Sequence, residues 1–143
     1  EPIVSIATAE GARVVYSPAG KLGDFAFTGL TVSDDYLKKN PETVQKAVNA
    51  ITRAMAYIRK DYEGTVKIAC ADFPEVKEQV VREALKRLLS QGTIPKDTLL
   101  PEAAWQNAVN LRREIGDLKS AGSFKENVDM SFARKALSGA GTK

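Results

Sequence analysis

The sequence predicts a helix-rich α/β chain, with two strands near its start followed by about six helices. Three observations carry that expectation. The runs 12–16 and 25–32 are rich in the β-branched and aromatic residues that suit a pleated, half-buried surface. Asn40-Pro41-Glu42 then opens an alanine-rich stretch whose apolar residues recur at helical spacing. Beyond it, shorter windows repeat that spacing between glycine and proline punctuation.

In chain order, residues 3 to 10 read as a helical turn ended by Gly11. Ala12-Arg13-Val14-Val15-Tyr16 is the first predicted strand, and Ser17-Pro18-Ala19-Gly20 breaks it. Lys21 to Asp24 is loop. Phe25 to Val32 is the second strand, with Phe25 and Phe27 on one face and Ala26, Thr28, Leu30 and Val32 on the other. Ser33 is a good N-cap, and Asp34 and Asp35 complement the dipole of the short helix that follows. That helix ends at Asn40, because the residue before a proline disfavours α geometry. Asn40 is expected to cap the next helix, with Pro41 in its first turn. There Val44, Ala47, Val48, Ile51, Ala54, Met55 and Ile58 form an apolar stripe.

Gly64 punctuates, and Val66, Ala69, Cys70 and Phe73 share a short helix. Pro74 is expected to open another, with Val76, Val80, Val81, Ala84, Leu85 and Leu88 as its stripe. Glu78–Arg82 and Glu83–Arg87 are i, i+4 pairs in the favourable order, and Gly92 is the expected C-cap. Pro101 starts a helix with Ala104, Ala108, Leu111 and Ile115 along its seam and Trp105 beside it, ended by Gly116. Residues 117 to 128 read as loop. Asp129 or Ser131 then caps a last turn or two holding Phe132, Ala133, Ala136 and Leu137, before a flexible tail over 139–143. The expected core includes Val44, Ile51, Met55, Val81, Leu88 and Trp105.

Composition narrows the chemistry. Hydrophobic residues make up 43% and charged residues 27% of the 143, the balance of an ordinary globular domain with a real core. No apolar run approaches the roughly 20 residues that span a bilayer. The chain starts at Glu1 with neither Met nor a leader, which predicts a processed, tagged or truncated product and leaves the compartment unread. A net charge of +3 comes from 21 Lys and Arg interspersed with 18 Asp and Glu, a solvated helix surface and not a nucleic-acid footprint. Cys70 is the only cysteine and sits at core spacing, and His is absent altogether. These facts disfavour disulfides, zinc, Ser-His and Cys-His chemistry. The sequence predicts no catalytic residues, no metal ligands and no cofactor. Asp34 and Asp35, as consecutive helical residues, face different directions, so capping explains them better than acid–base catalysis.

An ordered set of short motifs then suggests a family. These are Glu1-Pro2; Gly11 with Ala12-Arg13-Val14-Val15; the run Phe25 to Val32; Asn40-Pro41-Glu42-Thr43-Val44 with Ala47, Ala50 and Ala54; Trp105-Gln106-Asn107; and Val128-Asp129-Met130-Ser131-Phe132. In that order, across nearly the whole chain, they resemble the C-terminal half of an ABC-transporter periplasmic solute-binding protein. The branch resembled is the sulfonate, nitrate, taurine and thiamine-precursor one (NMT1/THI5-like). The resemblance implies a partial type II periplasmic-binding-protein-like fold. Residues 1–28 would be a remnant of the second lobe, including strand 12–16. Residues 29–138 would be the crossover strand and the C-terminal helical portion of the first lobe. A missing N-terminal half or a second copy would complete the fold.

The same resemblance implies non-catalytic binding of a small solute, delivery to ABC permease membrane subunits, and a periplasmic or extracytoplasmic setting. Alternatives are a ligand-sensing or helical interaction module on the same fold, or a pyrimidine-precursor enzyme, which the lack of His disfavours. Ligands in open α/β sheets sit beyond strand ends, which makes Glu1, Pro2 and Ser17 the candidate ligand-binding residues. Ser17 beside Pro18 also reads as an ordinary turn residue, and Trp105 as packing more readily than ring stacking. Thr28, Gly29 and Leu30 are the candidate hinge, against the plainer reading of Gly29 as a bulge or strand end.

Overall fold

The computed structural model describes residues 1–17, 21 and 23–140, and every regular element among them is an α-helix. The helices are α1 (Ile3–Ala9), α2 (Asp34–Lys39), α3 (Pro41–Lys60), α4 (Tyr62–Asp72), α5 (Glu78–Ser90), α6 (Glu102–Glu114), α7 (Phe124–Asn127) and α8 (Ser131–Ala140). They fall into two compact units that interleave along the chain. One comprises Glu1–Ala19 and Ala54–Lys96, the other Gly20–Arg53 and Asp97–Lys143.

In the first unit α5 is the central element, with both α1 and α4 packed on it. Val66 on α4, 1% exposed, and Val80, Val81 and Ala84 on α5 are buried. Their spacings of one, three and four place the α5 residues on one side of the helix. Around that core the polar groups bridge elements. Tyr62 Oη donates to the Arg82 carbonyl at 2.7 Å, and the Arg82 guanidinium forks onto both carboxylate oxygens of Glu63 at 2.8 and 2.7 Å. Arg59, in the last turn of α3, donates to the Ile94 carbonyl at 2.7 Å. Helix α5 ends as expected at Gly92, whose φ of 67° lets Gly92 N–H reach Leu89 O and Thr93 N–H reach Leu88 O.

In the second unit the buried apolar residues are Val44 of α3, Ala104 of α6, and Ala133 and Ala136 of α8. Trp105 meets Phe124 edge to face at 5.9 Å, so the indole is packing, as its place on the α6 seam suggested. Gln45 donates to the Phe132 carbonyl at 3.0 Å, and the Thr52 and Thr98 hydroxyls are 3.0 Å apart. Residues 24–26 are held to α6 by two bonds: Asn107 Nδ2 donates to Asp24 O at 2.9 Å, and Ala26 N–H to Ala104 O at 3.0 Å.

The predicted strands are the main correction. Neither Ala12–Tyr16 nor Phe25–Val32 pairs with another strand, and no sheet exists among the described residues. Val15 is 84% and Phe27 85% exposed, so the β-type side chains meet no opposing layer. β propensity expresses how well a side chain fits a paired, half-covered surface, and without a partner ladder it fixes nothing. The α/β class and the type II periplasmic-binding-like architecture therefore give way to an all-helical one. Pro18, Ala19 and Gly20 of the expected break lie outside the described residues, as does 141–143 of the expected tail.

Smaller corrections follow from hydrogen bonding. Asn40 does not cap α3 with its side chain; its Nδ2 donates back to Tyr36 O at 3.3 Å, while its carbonyl accepts from Thr43 and Val44. Helix α4 starts before Gly64, because Asp61 accepts from Gly64 N–H at 2.8 Å and caps it. Helix α5 begins at Glu78, several residues after Pro74. Residues 123–127 are not loop: Ser123 and Glu126 form a reciprocal capping box on α7. Of the expected core, Val44 and Val81 are buried, Met55, Leu88 and Trp105 are half-buried, and Ile51 is 38% exposed.

Candidate functional site

The first residues of the chain tie α1 to α5 through the Glu1 side chain. Pro2, at the N-cap of α1, has no side-chain acceptor for the free amides of that helix. The Glu1 carboxylate does the work instead: its Oε2 accepts from Ser5 N–H at 3.1 Å. Its Oε1 lies 2.9 Å from Arg87 Nε on α5, and the Glu1 side chain is only 8% exposed. The Arg87 Nε–H is not aimed along that line, so the contact is an ion pair and not a hydrogen bond.

Beside this pair lies a recess of about 370 Å³, within the range of small-molecule sites. Ser5 and Thr8, three apart, present polar groups from α1. Gln79, Glu83 and Arg87, four apart, do so from α5, and Lys77 stands just ahead of that helix. Ser5 is 2% exposed, and its Oγ has no hydrogen-bond partner. The Thr8 hydroxyl is by contrast engaged, donating within α1 towards Val4 O and Ser5 O, each at 3.0 Å. Lys77 and Glu83 form no ion pair among the described residues, and Arg87 pairs only with Glu1. The expected Glu83–Arg87 pair is thus not made, whereas Glu78–Arg82 is, at 2.8 Å. The recess offers cationic donors and a carboxylate acceptor within one small volume, while the unsatisfied Ser5 hydroxyl is itself shielded from solvent. That is equipment for holding a polar solute.

A second groove, of about 400 Å³ between α3 and α8, is poorer. Gln45 lines it, but both its amide hydrogens are already committed, to Asn49 Oδ1 at 2.9 Å and Phe132 O at 3.0 Å. Among the described residues no His, Cys, Asp and Glu side chains gather in a metal-ligating group.

Of the residues singled out from the sequence, Glu1 and Pro2 precede α1 and do not line the recess, although Glu1 pairs with Arg87, which does. Ser17 is half-buried in the segment after α1 and does not line the recess. Thr28, Gly29 and Leu30 are exposed and belong to the other unit. A Cβ on Gly29 would meet nothing within 4 Å, and its φ lies outside the left-handed range, so the backbone there suits any residue. Sequence reasoning missed Ser5, Thr8, Lys77, Gln79 and Arg87. The four-residue spacing of Gln79, Glu83 and Arg87 was visible, but nothing in the sequence announced that α1 would face them.

No family model matches the chain, so the NMT1/THI5-like resemblance is not shown. Among curated proteins the chain is similar to one named "Putative binding protein YtlA" from Bacillus subtilis (strain 168). It is 25% identical over 140 residues, covering 96% of this chain and 42% of the relative. The chain therefore spans less than half the length of that relative. No solved structure matches. Among the described residues no helix is long and apolar enough to cross a membrane.

Proposed function

We propose that this chain is part of a non-catalytic binding protein that holds a small solute and delivers it to the permease subunits of an ABC importer, on the extracytoplasmic side of the membrane. The solute class is that of sulfonates, nitrate, taurine or pyrimidine-like molecules. One observation carries the binding role: similarity to a protein named as a binding protein, running through nearly the whole chain. The α1–α5 recess supports it, since its residues are disposed to hold polar groups, with no nucleophile paired to a base. The importer, the setting and the solute class rest on the motif resemblance alone.

Thermal-shift screening tests the reading, using the polypeptide as its gene encodes it against sulfonates, nitrate, taurine and pyrimidines. A solute present at 100 times its dissociation constant adds about 2.7 kcal/mol to stability, a shift of several degrees. No shift with any of them would overturn the transport reading.

A further inference from the structure

We draw no further inference here: the strongest candidate, the exposed and uncharged surface patch formed by residues 27–32 just ahead of α2, is an unpartnered apolar face, and nothing in the structure shows what covers it.

Discussion

Glu1 uses one carboxylate for two purposes, closing the first turn of α1 through Ser5 N–H and facing Arg87 on α5. Removing Arg87 strands a carboxylate that is 8% exposed. Truncating one member of a fully buried pair costs about 3–5 kcal/mol, and partial exposure of Arg87 reduces this, so Arg87→Ala should lower stability by about 2 kcal/mol in urea unfolding. Glu1→Gln should lose less, since an amide oxygen still accepts from Ser5 N–H. Val66, the most buried large side chain, marks the apolar counterpart: Val66→Ala should cost about 2 kcal/mol, read the same way. At this scale the sequence announced Val66 through its helical spacing. It gave no sign of Arg87's partner, because Glu83 offered a nearer one and the choice was made by the packing of α1.

Several helix starts in this chain are held by side chains acting over three residues, at Ser33, Asp61 and Ser123, and such ends were partly legible. Ser33 accepts from Tyr36 N–H at 3.2 Å, as its position before Asp34 and Asp35 foretold. The capping box at α7 went unread because four helical residues show no apolar period, although Ser123 and Glu126 sit at the right spacing. Ser123→Ala should therefore cost about 1 kcal/mol and disturb the Trp105–Phe124 contact, visible as a change in tryptophan fluorescence. Several caps are acid-sensitive in one direction. The bond from Ser123 N–H, and then the Ser123 hydroxyl, lower the Glu126 pKa. The Ser131 side chain and N–H do the same for Asp129, and Gly64 N–H followed by Tyr57 for Asp61. A folded pKa below its unfolded value contributes stability that is present above the ordinary carboxylate range, near pH 4, and is lost as pH falls through the depressed value. Helicity followed by circular dichroism should therefore hold from neutral pH to about pH 4 and decline below it, with Glu126→Gln flattening part of that decline.

Over the whole molecule, helices declared themselves and tertiary partners did not. The apolar stripes of α3, α5 and α6 follow from local spacing, whereas the fate of the 12–16 and 25–32 runs depended on whether a second strand lay beside them. None does among the described residues, and Phe27, at 85% exposure, contributes little to the native packing. Phe27→Ser should accordingly leave the thermal midpoint nearly unchanged, within about 0.5 kcal/mol.

The interleaving of the units carries a practical consequence. Each is assembled from a leading and a trailing stretch of sequence, with the breaks after Ala19, Arg53 and Lys96. Trimming from either terminus to isolate one unit would therefore leave parts of both. Only a redesigned gene, splicing distant exon-like pieces through an artificial linker, would yield either one separately.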